Sequence, residues 1–126
     1  MRTIKFRGRT KEGNWVFGDL LTNHVSPEIL AYKGQYEVEK ETIGQYTGIV
    51  DFYGKEIYEG DVVRKVGGTF QGAVTWNSRG YYYIKEFCYF KDKEEPNCTP
   101  LGEMIKRGFE VIYNIHDNPI FLEERQ

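Results

Sequence analysis

The chain has 126 residues, a formal net charge of −2, 40% hydrophobic and 16% aromatic residues. That length supports one compact domain or two small packed lobes with a real core. The charge balance supplies no global field to draw in nucleic acid, two cysteines make no disulfide framework, and no apolar run reaches the roughly 20 residues of a membrane-spanning helix.

The aromatics are mostly Tyr (10) and Phe (8), set among 14 glycines. This composition favours many strands and many turns. "IKFRGR" alternates, with Ile4 and Phe6 on one face and Lys5 and Arg7 on the other, and predicts a half-wet strand. "TKEGN" turns the chain, and "WVFGDLL" returns it as a hairpin. Pro27 breaks the next segment. "EILAY" and "YEVE" then form a second hairpin around "KGQ", with Gly34 in the turn. "TIGQYTG" is a short strand. "DFYG" is a turn in which Asp51 bonds the backbone ahead of it, and it marks the seam between residues 1–50 and 51–126.

Past Gly60-Asp61 the pattern becomes a meander. Gly60 supplies a backbone conformation closed to other residues, and Asp61 accepts bonds from turn amides. "VVRKV" is a strand, "GG" a turn and "TFQGAVTWN" a strand. In the last, Val74 and Trp76 share one face, Ala73 and Thr75 the other, and Gly72 marks a bulge or sharp bend. "SRG" turns the chain into "YYYIKEF". Residues 91–100 read as a polar loop, "LGEMIKRG" as one helical turn stopped by Gly108, and "IFLEE" as a short tail. "FEVIYNIH" alternates, with Phe109, Val111, Tyr113 and Ile115 inward, Glu110, Asn114 and His116 outward, and Ile112 the exception. Short strands with one apolar face each leave two open edges. Curling into a small barrel pairs those edges, and an open sheet covered by the N-terminal lobe is the competing geometry.

Few residues carry chemistry. The serines, Ser26 and Ser78, fall in turns, and neither stands in a G-x-S-x-G elbow. His116-Asp117 closes a strand, where Asp117 suits a turn better than a triad. Cys88 and Cys98 with His24 and His116 lack chelating spacing, so no metal and no cofactor are expected. "GGTFQG" has no following Lys and precedes a strand, so it cradles no phosphate. Glu56, Glu59 and Asp61 are close in sequence, but turn formation accounts for them. "SRGYYYIKEF" interleaves Arg79, Tyr81, Tyr83 and Lys85, the pattern of a single-strand-binding platform, and the basic stripe Lys5, Arg7 and Arg9 adds phosphate contacts.

"TIGQYTGIVDFYGKEIYEGDVV", "GAVTW" and the closing "FEVIYNIHDNP", with "MRTIKFRG" and "WVFGDLL" before them, resemble the YopX family over most of the chain. Residues 23–40 and 87–107 carry no family signal. The resemblance implies small phage- and prophage-encoded proteins, and an all-β fold with an N-terminal β-hairpin lobe packed on a C-terminal SH3-like barrel. It implies no reaction and brings no catalytic residues.

The expected role is therefore a non-enzymatic interaction module. Its partner is a host or phage protein, or a second copy of the chain. Nucleic-acid binding is the alternative, through the seven residues of the two basic segments. With no signal peptide and no membrane span, the expected location is the bacterial cytoplasm with both thiols reduced.

Overall fold

Alternation and turn chemistry build the first ribbons. The computed structural model describes residues 3–22, 25–68, 71–77, 81–86, 98–100 and 108–118. The chain divides into two compact units, Met1–Gly48 and Ile49–Gln126. Among the described residues the fold is all-β, with two antiparallel sheets and no α-helix.

In the first unit, β1 (Phe6–Arg9) and β2 (Trp15–Leu21) form the expected hairpin. Its turn is closed by Thr10, whose carbonyl accepts the Gly13 N–H at 3.0 Å and whose hydroxyl accepts the Asn14 N–H at 3.2 Å. Strands β3 (Glu28–Ala31) and β4 (Gly34–Glu37) make the second hairpin. Its turn is Tyr32–Lys33, so Gly34 opens β4 instead of occupying the turn. The ladder runs β4-β3-β2-β1-β5, where β5 is Gly44–Val50, and β6 (Glu56–Tyr58) follows β5.

Between β4 and β5 lies a 3₁₀ turn, Lys40–Thr42, that alternation gives no sign of. It forms because the end of β1 needs partners. The Arg9 N–H donates to the Thr42 hydroxyl at 2.9 Å, and the Arg9 carbonyl accepts the Glu39 N–H at 2.8 Å. Among the described residues of this unit, Ile29 and Val38 are the buried apolar ones. Val38 seats directly on Gly8, where an added Cβ would lie 2.8 Å from its side-chain carbons.

The second sheet runs β10-β9-β8-β7-β11. Its strands are β7 (Asp61–Lys65), β8 (Gln71–Asn77), β9 (Tyr81–Glu86), β10 (Cys98–Pro100) and β11 (Phe109–Asn114). The first part of β7, Asp61 to Val63, is buried on both faces. Val63 packs with Ile57, Val74, Tyr82 and Phe109, while the adjacent Val62 packs with Ala73, Ile112 and Ile115. Neighbouring residues of a strand point oppositely, so the two clusters lie on opposite sides of the sheet. The Gly60-Asp61 pair sets this strand in place. Gly60 has φ +95°, its N–H donates to the Val74 carbonyl at 2.9 Å, and its carbonyl accepts the Ile115 N–H at 2.9 Å. Asp61 is buried, and its carboxylate accepts the Tyr58 N–H at 2.8 Å.

Three sequence expectations change here. The ladder passes through Gly72 without a register shift, and the bulge sits between Val111 and Tyr113. The extra residue reverses the facing of the strand beyond it. Ile112 packs inward on the second cluster, and Tyr113 is 50% exposed instead of inward. Third, Cys98–Pro100 is not loop but strand, paired with β9. Proline is tolerated there because β10 is the sheet's edge and its far side needs no donor. The expected turn at 78–80, the helical turn at 101–107 and the tail at 120–124 lie outside the described residues.

The free edge of β11 is sealed by the turn after β5. The Phe109 carbonyl accepts the Phe52 N–H at 2.8 Å, and the Val111 N–H donates to Asp51 Oδ2 at 2.9 Å. The other oxygen, Oδ1, accepts the N–H groups of Tyr53 and Lys55, each at 2.9 Å. Asp51→Ala would strip an acceptor from three backbone donors around a buried position. The expected loss is roughly 2–4 kcal/mol, read as a fall in the urea midpoint. An unchanged midpoint would show that the carboxylate is dispensable.

Candidate functional site

The basic stripe is built by register. Arg7 and Arg9 share one face of β1, Lys5 stands just before the strand, and the β2 residues opposite Arg7 and Arg9 are Phe17 and Trp15. Each cation has an internal partner. Lys5 Nζ lies 5.5 Å from the centroid of the Tyr46 ring. The Arg7 guanidinium lies 4.6 Å from the Trp15 ring centroid and is only 6% exposed. Arg9 Nε meets Glu39 Oε1 at 3.2 Å. A desolvated cation–π contact is worth about 2 kcal/mol, a partly exposed ion pair about 0–1 kcal/mol. An incoming phosphate would compete with these contacts, most of all at Arg7.

Of the second basic segment, Arg79 lies outside the described residues. Tyr81, Tyr83 and Lys85 take register positions opposite Asn77, Thr75 and Ala73 on β8. Tyr82, of opposite parity, is in the core and meets Trp76 edge to face, centroids 4.7 Å apart. The first segment belongs to the first unit and the second to the second unit.

The described acids of β6, of the turn after it and of the turn after β11 bond to their own turns and neighbours. Asp61 serves the β6–β7 turn, and Glu56 Oε1 accepts the Tyr58 hydroxyl at 3.3 Å. At the end of β11, Asn114 Oδ1 accepts the backbone N–H groups of His116 and Asp117. Asn114 Nδ2 in turn donates to the Asp117 carboxylate at 3.0 Å. Asp117 thus takes the expected turn role. Among the described residues no group of three or more His, Cys, Asp or Glu is placed to hold a metal ion. No helix among them is long and apolar enough to cross a membrane. His24 and Cys88 lie outside the described residues.

Sequence reading passes over one pair of exposed aromatic rings. Phe52 and Tyr53 form the tip of the Asp51 turn and are 63% and 67% exposed. Their rings meet edge to face at 87°, with centroids 5.2 Å apart. Beneath them the turn is locked. The Asp51 N–H donates to the Lys55 carbonyl at 2.7 Å, and the Gly54 N–H donates to the Asp51 carbonyl at 3.0 Å. Gly54, at φ +85°, closes the turn where other residues would be strained. The detectable signal was two adjacent aromatics at the centre of a turn that an Asp opens and a Gly ends. In the first unit there is also an open groove of about 520 Å³ between the Thr10–Glu12 turn and β4, with Val38 and Pro27 in its wall.

One acid is held off its ordinary titration. Burial raises the pKa of Glu59 above its usual value of 4.5. A raised carboxyl pKa contributes stability below the unfolded-state value and withdraws it as pH rises through the folded-state value. Once ionised, the buried group therefore opposes folding. Glu59→Gln is expected to melt higher than the native chain near neutral pH, with the gap closing below about pH 4. Equal melting temperatures across that range would contradict the assignment.

No curated protein matches this sequence. The family described as YopX protein matches residues 5–123, which is nearly the whole chain, strands and tip alike. The chain therefore belongs to the YopX family.

Proposed function

We propose that the chain is a non-enzymatic protein-interaction module of a phage or prophage, acting in the cytoplasm of the host bacterium. In this reading the second unit is a small, partly open SH3-like barrel, its last strand sealed by the Asp51 turn. The partner is a host or phage protein, and self-association is the case in which that partner is another copy. One observation carries the reading: two large apolar rings stand in solvent on a backbone with no freedom to fold them away. Exposed aromatics cost solubility, and rigid ones lose little entropy when a partner covers them. Interface anchors are commonly of this kind. YopX membership, with the phage and prophage source that the resemblance implies, supports the cytoplasmic setting. The engagement of Asp61, Glu56 and Asp117 in turns supports the absence of a reaction.

Nucleic-acid binding is the second reading, favoured by Arg7 and Arg9 on one face of β1 with Lys5 just before it. It is weakened by the internal partner each of them already has. Affinity capture from infected cells, with nuclease treatment, separates the two. A protein that survives nuclease and is lost with the Phe52→Ala/Tyr53→Ala variant is the expected result. A complex that nuclease abolishes, and whose affinity falls steeply with salt, would replace it with the nucleic-acid reading.

A further inference from the structure

The edge of a sheet selects its occupant through main-chain groups. The second sheet blunts both of its edges, with Pro100 in β10 and with the Asp51 turn laid along β11. Strand β4, an edge of the first sheet, has neither device. It reads Gly-Gln-Tyr-Glu, without proline, and pairs with β3 without a register shift. The bonds just beyond it show where its main chain points. The Val38 N–H donates to the Pro27 carbonyl at 3.1 Å, so Tyr36 and Gly34, of the same parity, also turn their main-chain groups to β3. Gln35 and Glu37 turn theirs the other way, as Glu39 does, whose N–H donates to the Arg9 carbonyl at 2.8 Å. Both residues are exposed, and among the described residues no strand pairs with them on that side. That side is the groove of about 520 Å³, whose far wall is the Thr10–Glu12 turn. The Glu39–Arg9 bond closes one end of it.

We propose that β4 takes an added strand: one extended segment of a partner polypeptide, antiparallel to β4 and lying in this groove. The N–H and C=O groups of Gln35 and of Glu37, two residues apart, each exchange bonds with the residue opposite. Only a polypeptide main chain offers donors and acceptors in that alternation. The partner residue opposite Tyr36 falls at a non-hydrogen-bonded pair, where side chains come closest, and is β-branched or aromatic. The residues opposite Gln35 and Glu37 are polar and not acidic, because like charges directly opposite repel. A second copy is the poorer occupant, since its β4 brings β3 behind it into a groove that has a far wall. This rests on the interaction role proposed above, at a surface other than the aromatic tip, and names the chemistry of the partner.

The test uses the full chain as bait for a displayed library of random peptides. Enrichment of peptides with that alternation is expected. N-methylation, moved one residue at a time along a selected peptide, should weaken binding with a period of two. The loss is roughly tenfold or more where the peptide N–H faces β4, and less than about twofold at the positions between. Gln35→Pro and Glu37→Pro each remove one outward N–H, spare the ladder to β3, and should weaken the peptide to a similar extent. Urea midpoints check the folding of these variants, and the N-methyl scan, which leaves the protein unaltered, decides the matter if proline disturbs the strand. The Phe52→Ala/Tyr53→Ala variant should bind the peptide as the native chain does. Peptides that need Phe52 and Tyr53 but tolerate both prolines would overturn this inference and leave the interaction role standing. A scan without the two-residue period, no enrichment at all, or a concentration-dependent dimer abolished by Gln35→Pro would overturn it outright.

Discussion

A buried carboxylate must be met by donors, or its ionised form does not belong in the interior. Asp51 is met by three backbone N–H groups, two from its own turn and one from β11, a strand about sixty residues away in sequence. That single side chain therefore does two things. It fixes the local turn, and it ties the start of the second unit to the last described strand of the same unit. With the Phe52–Phe109 backbone bond beside it, it occupies the outer edge of β11 where another chain would otherwise pair. The exposed rings result from the same arrangement, because a turn held from below has only one direction in which to project its central side chains.

The sheet of the second unit depends on that sealing. Strand β7 carries core on both faces, which demands cover from two directions. Strand β11 and the turn after it supply that cover on both sides. Before the bulge Phe109 and Val111 join one cluster, and after it Ile112 and Ile115 join the other. Alternation alone turns Ile112 away from Val111, and the irregularity beyond it lets Ile115 join Ile112 on the same side. Gly60, bonded through its N–H to β8 and through its carbonyl to Ile115, holds the entry to β7 between its neighbours.

Much of this was legible from residue order. The two N-terminal hairpins, the Asp51 turn, the Gly60-Asp61 entry and the facing of Val74 against Ala73 all obey local rules of alternation and turn chemistry. What was not legible depends on contacts distant in sequence. The 3₁₀ turn at Lys40–Thr42 exists because β1 ends with unsatisfied backbone groups, which no window of sequence displays. Strand β10 exists because β9 offers it an edge. Gly72 suggested a bulge or a sharp bend and carries no register shift, while the bulge beside Ile112 was visible only as a break in alternation. Of the candidate site, the basic stripe was legible as a row but not its internal partners, since Trp15, Glu39 and Tyr46 reach it from other elements. The aromatic tip was legible as a turn. Its exposure depends on Asp51 reaching Val111.

The contact of Val38 with Gly8 has a consequence for how the first unit finds its alignment. Three side-chain carbons of Val38 sit where a Cβ on residue 8 would stand, so the site admits a hydrogen and nothing larger. Sliding β1 by one position would bring Arg7 or Arg9 beneath those methyl groups, and the strand could not seat. The glycine works as a keyhole: among the offsets the ribbon can try while the chain is still searching, only the native one lets the valine drop home.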